Sequence, residues 1–337
     1  MRTASTNHHK VFSRIGRWSG KVPEGFAADF LGTLSRKEYF IGLPEESLGL
    51  SETLALPPFD EEYFEWIDLL EAVTAARSRF TMLELGAGWG RWTARGAAAA
   101  EQLGIPYRLV AVEAEPKHFE WMAQSLRDNG VRGEDCQLIR AAVTDRDGDV
   151  GFHVGGEPTF YGHCIGGPTK VSAVSLRTLL LPLDLVDLID MDVQGAELDI
   201  LGSAVDPLQQ RVKRVHVETH NRQLHADIEK LFRVMGWRCH CLFEGNTGDK
   251  TPWGRINFQG GVQSWLNPAL HSRSEIRNAH SYRNSVGFRG LQIGRRVVDQ
   301  LAPIGTTRRK LVRTMLSGFA GKYQRDVEDE KLRPVGW

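Results

Sequence analysis

Three glycines at alternate positions, Gly86, Gly88 and Gly90, interrupt the stretch Thr81-Met-Leu-Glu-Leu-Gly-Ala-Gly-Trp-Gly-Arg-Trp-Thr93. Residues 80–85 have the apolar, β-prone character of a buried strand, and the residues after Gly90 that of a helix. Glycine presents no Cβ and accepts positive φ, so a ligand can lie directly on the main chain of such a turn. A dinucleotide fingerprint would carry a third glycine at position 91, and Arg91 stands there instead. The G-x-G-x-G spacing behind Glu84 is the pattern expected of an S-adenosylmethionine site. Glu84 is the only charge in its strand, so it must accept hydrogen bonds from backbone or ligand near the turn.

Acids recur at the ends of later apolar runs. Glu113 ends Leu109-Val-Ala-Val-Glu113, 27 residues beyond Gly86, close to where a carboxylate that grips two ribose hydroxyls is expected. Glu115 is the second choice, and a solvent-facing strand-end acid is the plain alternative. Asp190 and Asp192 share one side of the strand within Val186-Asp-Leu-Ile-Asp-Met-Asp192. Gln194-Gly195 then makes a turn, and Glu197 enters the next helix. A further strand ends in Glu218-Thr219-His220-Asn221. In an open parallel sheet ligands bind beyond the carboxyl ends of the strands, so these groups converge on one polar site.

The elements that position them alternate. A helix begins near Asp60, read as its N-cap, with Tyr63, Trp66, Ile67, Leu70 and Val73 on one face. Strands are expected at 80–85, 108–113, 137–143, 185–192, 212–218, 237–243 and 254–260. Helices are expected at 90–103, 116–128 (closed by Asn129-Gly130), 195–203 and 222–235. Segment 151–170 holds six glycines with His153, Tyr161, His163 and Cys164, and reads as a lid or loop. The pattern predicts an α/β fold with a doubly wound, mostly parallel, seven-stranded sheet. The domains expected are an N-terminal extension over 1–59, a ligand-binding domain over 60–268, and a basic, partly helical tail over 269–337.

Composition sets limits. The 337 residues carry 42 Lys/Arg and 42 Asp/Glu, yet residues 267–337 hold 14 basic against 6 acidic groups. An acidic body with a basic tail points to an anionic surface, and 301–316 has the character of a short basic amphipathic helix, so peripheral contact with a membrane surface is one expectation. The four cysteines, Cys136, Cys164, Cys239 and Cys241, show neither disulfide nor zinc spacing. Residues 1–20 lack the apolar core of a secretory signal, and no run is long enough to span a bilayer, which favours the cytoplasm.

Four segments in order, Glu84-Leu-Gly-Ala-Gly-Trp-Gly90, Val112-Glu-Ala-Glu-Pro116, Ala141-Ala-Val-Thr-Asp145 and Ile189-Asp-Met-Asp-Val-Gln-Gly-Ala-Glu197, resemble the FkbM family of S-adenosylmethionine-dependent methyltransferases. The resemblance spans about 60–268. Its specific part is Asp192 to Glu197, where that family shows Asp-x-x-Gly-x-Glu; Gln194 stands where many members have Glu. It implies a Rossmann-like class I methyltransferase with O-methylation, often of sugar hydroxyls in glycans or natural products. It implies a cofactor site made of Glu84, Gly86, Ala87, Gly88, Gly90, Glu113, Ala142 and Asp192. Methyl transfer needs the acceptor positioned and its proton removed. Candidates for the catalytic groups are Asp192, His220 and Glu218. The alternative is a divalent ion such as Mg²⁺ on Asp192, Glu218 and Asn221. Rival readings are a nucleic-acid methyltransferase, a nicotinamide-dependent oxidoreductase and a cofactor-binding module without turnover. The tail suggests the first, but the chain lacks an Asp/Asn-Pro-Pro-aromatic tetrapeptide, a Pro-Cys nucleophile and a basic, aromatic-interleaved patch in the body, so no nucleic-acid partner is expected.

Overall fold

The computed structural model describes residues 8–40 and 52–283. Eight strands form the central sheet: β1 (Phe80–Leu85), β2 (Tyr107–Glu113), β3 (Cys136–Arg140), β4 (Leu188–Met191), β5 (Arg214–Thr219), β6 (Arg238–Phe243), β7 (Gly261–Leu266) and β8 (Tyr282–Arg283). Their spatial order is β8-β6-β7-β5-β4-β1-β2-β3. Every neighbouring pair is parallel except those made by β7, which runs antiparallel to both β5 and β6. The order reverses between β1 and β4, and ligands bind at such a switch point. β1 is buried along its whole length, as a strand covered on both faces must be.

The helices include α1 (Tyr63–Ala75), α2 (Arg91–Gln102), α3 (Pro116–Asp128), α4 (Leu176–Leu180), α5 (Glu197–Ser203), α6 (Val205–Arg211), α7 (Arg222–Val234) and α8 (Arg273–Asn278). α7 buries Leu224, Ile228, Leu231 and Phe232 on one stripe, the spacing of a single core-facing side. Gly130, with φ 71°, closes the turn after α3, as Asn129-Gly130 signalled.

The fold departs from the sequence expectations at several points. The sheet has eight strands rather than seven. Residues 254–258 pair with 247–251 as a separate hairpin, and the strand that enters the sheet between β5 and β6 is 261–266. The apolar run 137–143 breaks at Ala141, because Ala142–Thr144 pairs with Thr169–Ser175 in a second small sheet. Thr169–Ser175 also pairs with Gly148–Phe152, so the glycine-rich segment is a loop held at its base by two strands. Asp60 does not cap α1: the helix starts at Tyr63, no side chain caps it, and Asp60 Oδ1 is buried without a hydrogen bond.

The compact unit runs on to Arg283 instead of stopping at 268, since Tyr282 pairs with Cys241. The N-terminal residues contribute short 3-10 turns and join the same core. Val11, Phe12, Ile15, Phe30 and Leu31 cluster with α1, and the Arg36 guanidinium donates to Asp128 at 2.6 Å. Cys239 and Cys241 are buried free thiols. Among the described residues no helix is long and apolar enough to cross a membrane. The basic stretch 301–316 lies outside the described residues.

Candidate active site

A cavity of about 610 Å³ opens at the carboxyl ends of β1, β2, β4 and β5. The glycine turn forms its floor. Gly86 has φ 82°, and a Cβ there would collide with the carbonyl oxygen of Asp192. Gly88 has φ 53° and packs against the Tyr161 ring. Both positions exclude larger residues, by backbone conformation and by space. The turn therefore presses against the chain just past β4.

Two buried acids hold the turn in place. Glu84 accepts from the backbone N–H of Trp92 at 3.2 Å and of Thr93 at 2.7 Å, and from the Thr93 hydroxyl. It satisfies the orphan donors of the first turn of α2, a use for the lone charge in the strand that needs no ligand. Burial and the nearby Asp190 push its carboxyl up to about 8. Glu113 accepts from Gly88 N–H at 2.8 Å and from Glu115 N–H at 2.7 Å. Burial pushes Glu113 up to about 7 against those hydrogen bonds. Glu115 caps α3, accepting from His118 N–H at 2.8 Å, so of the two acids only Glu113 lines the cavity.

Ala87, Glu84, the glycines at 86 and 88, and Asp192 also line it. Gly90 starts α2 with φ 73° against Met122. Ala142 is not among the lining residues; it is buried with Ala114 and Phe152. The loop over the cavity brings Tyr161 and His163, and Tyr161 stacks on His118 with centroids 4.4 Å apart. The Tyr161 hydroxyl donates to the Tyr39 carbonyl at 2.9 Å, and His118 Nε2 bonds the Pro158 carbonyl at 2.9 Å. These contacts fasten the loop to the N-terminal segment and to α3.

Past β4 the chain turns through Gln194, with φ 58°, and Gly195, with φ 107°. Gln194 Nε2 donates to Asp192 Oδ1 at 2.7 Å. A carboxylate at 194 could not make that bond while ionised, so the amide gives this chain an orienting contact of its own. His220 lies between two acids, Nε2 3.2 Å from Asp192 and Nδ1 3.4 Å from Glu197. Burial opposes its protonation, but the hydrogen bonds to Asp192 and Glu197 win and push His220 up to about 10. Both ring nitrogens of His220 thus face a carboxylate, an arrangement that favours the imidazolium.

Glu218 lines the cavity, and burial together with Asp192 pushes it up to about 8. Asn221 stands at the start of α7. Its Oδ1 accepts from Leu224 N–H at 2.8 Å and caps α7.

Sequence reasoning missed the groups that α1 brings. Glu61, Glu62 and Glu65 line the cavity with Asp190 and His216. Arg91 pairs with Glu62 at 2.6 Å. Behind them Asp68 is bonded by Arg214 and, at 2.8 Å each, by His216 Nδ1 and His240 Nδ1. The available signal was the three-residue spacing of Glu62, Glu65, Asp68 and Glu71. Eight acidic residues are among those that line the cavity, with Arg91 the one Lys or Arg among its lining residues.

Strand order, glycine turn and strand-end acids define a Rossmann-like class I methyltransferase. More narrowly, residues 85–239 match the methyltransferase FkbM domain. A provisionally named methyltransferase of Jannaschia sp. (strain CCS1) is 26% identical over 230 residues, covering 63% of this chain and 82% of that protein. Among solved structures, an FkbM methyltransferase from Methylobacillus flagellatus KT aligns with TM-score 0.40 and 12% identity, covering 57% of this chain and 45% of that one. A precorrin-6Y C5,15-methyltransferase from Geobacter metallireducens GS-15 aligns with TM-score 0.38 and 11% identity, covering 59% and 85%.

Proposed function

We propose that this methyltransferase takes its methyl group from S-adenosylmethionine and transfers it to a hydroxyl oxygen, on a sugar of a glycan or glycosylated natural product. The observation that carries the donor assignment is the left-handed glycine turn opening into an acid-lined cavity. The donor's sulfonium and ammonium give it a net positive charge, which suits eight carboxylates and one arginine. Glu113, already held by two backbone N–H groups, has lone pairs left for the ribose hydroxyls. The flat pair Tyr161 and His118 offers a stacking surface for the adenine.

The sulfonium is already activated, so the protein aligns the acceptor and removes its proton. Glu218 is the proposed base. Its carboxyl is raised in the ligand-free protein, and the bound sulfonium lowers it toward neutrality. As the O–CH3 bond forms and the S–CH3 bond breaks, the hydroxyl proton passes to Glu218 and the sulfonium becomes a neutral thioether. Asp192, oriented by Gln194 and His220, anchors the acceptor. Sugar as acceptor class rests on the FkbM resemblance.

Calorimetric titration of S-adenosylmethionine tests the donor half: one site per chain is expected, weakened by Glu113→Ala. No affinity in the folded protein overturns the donor assignment. S-adenosylhomocysteine release in the presence of hydroxyl-bearing glycan extracts, absent with permethylated extracts, tests the acceptor half. Equal release with both removes the hydroxyl acceptor.

A further inference from the structure

Parallel pairing sets three polar residues side by side on one face of the sheet. Asp190 in β4 is in register with Glu84 in β1 and with His216 in β5. α1 crosses above this row and adds Glu65. One ligand atom each from Glu65, Asp190 and His216 lie within 4.8 Å of one another, and all three residues line the cavity. His216 is only 3% exposed. Its Nδ1 is bonded to buried Asp68 at 2.8 Å, and its Nε2 has no hydrogen-bond partner among the described residues.

We propose that Glu65, Asp190 and His216 form a binding site for a divalent first-row transition-metal ion, with Asp68 fixing the His216 ring. A histidine that donates one ring nitrogen to a carboxylate and leaves the other free toward further carboxylates is the usual arrangement behind a metal ligand. Two carboxylates with one imidazole suit Mn²⁺, Fe²⁺ or Zn²⁺ better than an all-oxygen ion. Glu65 and Asp190 face each other beside the His216 ring on the wall of the cavity. An ion supplies the missing positive charge, and the cavity admits the waters that complete its shell.

Two other clusters are weaker candidates. Asp192, Glu197 and His220 are neutralised internally, because both ring nitrogens of His220 face a carboxylate. Asp68, His216 and Cys241 are filled by the hydrogen bonds of Arg214 and His240.

The test uses the full chain and Mn²⁺. Calorimetry with metal analysis after gel filtration is expected to give one Mn²⁺ per chain. Glu65→Gln and Asp190→Asn, each checked for native circular dichroism, are expected to weaken binding at least about tenfold. Glu197→Gln is expected to keep it. Electron spin-echo spectroscopy is expected to show an imidazole nitrogen coupled to the manganese, lost in His216→Gln. Absence of stoichiometric Mn²⁺ from the folded wild type overturns the proposal, as does loss in Glu197→Gln with retention in Asp190→Asn. The two carboxylate variants decide the matter if His216→Gln does not fold.

Discussion

Gly86 lies so close to the main chain of Asp192 that a Cβ on Gly86 would overlap the Asp192 carbonyl oxygen. The glycine turn and the end of β4 are therefore one packed unit, further joined by the Asp192 N–H bonded to the Leu85 carbonyl at 2.9 Å. Gly86→Ala is expected to force the two strand ends apart and to strain a φ of 82°, a backbone penalty of about 1–2 kcal/mol before any clash. Gly104→Ala is the control, with φ 65° and nothing within 4 Å of the added methyl. It bears the backbone penalty alone. Urea denaturation is expected to show the larger loss at 86. Binding of S-adenosylhomocysteine is expected to fall only there; equal losses at both sites would refute the packed unit.

Donor binding is expected to depend on pH through Glu113. Burial raises this carboxyl to about 7, and only its ionised form accepts from two hydroxyls. Binding that selects the ionised form must expel a proton below that value. Affinity for S-adenosylhomocysteine is expected to fall as pH drops below 7, by up to tenfold per unit, and to lose this component above it. Glu113→Gln is expected to weaken binding about tenfold, one charged hydrogen bond, and to flatten the profile. A profile unchanged in the variant assigns the titration to another group.

The sequence showed what is local. The glycine turn, Glu113 at its strand end, Asp192 and Glu197 can be read from order and spacing, because each depends on neighbours within one strand-turn-helix unit. Glu84, Asp190 and His216 are far apart in the chain and meet only through the register of three strands, which no local pattern states. The acids of α1 were masked by the helix's own apolar residues: Trp66, Ile67, Leu70 and Val73 explained the helix without them. Asn221 could serve an ion or a helix end on sequence grounds, and the unsatisfied N–H of Leu224 decided it. His220 is the converse case. Its residue type suits a base, but two flanking acids that converge only in the fold hold it protonated.

His220 is expected to remain a doubly protonated imidazolium through neutral pH. With a folded value of about 10 against 6.5 unfolded, its bonds to Asp192 and Glu197 contribute stability that is complete below 6.5. That contribution is lost as pH rises through 10. Nitrogen-15 spectra of the imidazole should show both ring nitrogens protonated at pH 8. His220→Gln should flatten the decline of stability between pH 7 and 10. A ring that titrates near 6.5 would return His220 to the list of bases.

A buried ion cluster stands behind the cavity wall at His216. Asp68 is fully buried and receives bonds from Arg214, His216 and His240. Burial would raise Asp68, but the Arg214 charge and the two imidazoles hold it well below its ordinary value. Asp68→Asn removes the anion and leaves the buried Arg214 guanidinium facing an amide. Removing one partner of a buried ion pair costs about 3–5 kcal/mol. Glu71→Gln removes the other carboxylate on Arg214, 2.8 Å away and 22% exposed, where water can take its place. The first variant is expected to lose several times more stability in urea than the second. It should also loosen His216, so that any ligand affinity that depends on the ring's orientation falls with it. Equal, small losses would mean that Arg214 is sustained by Glu71 alone, and that Asp68 does not fix the ring of His216.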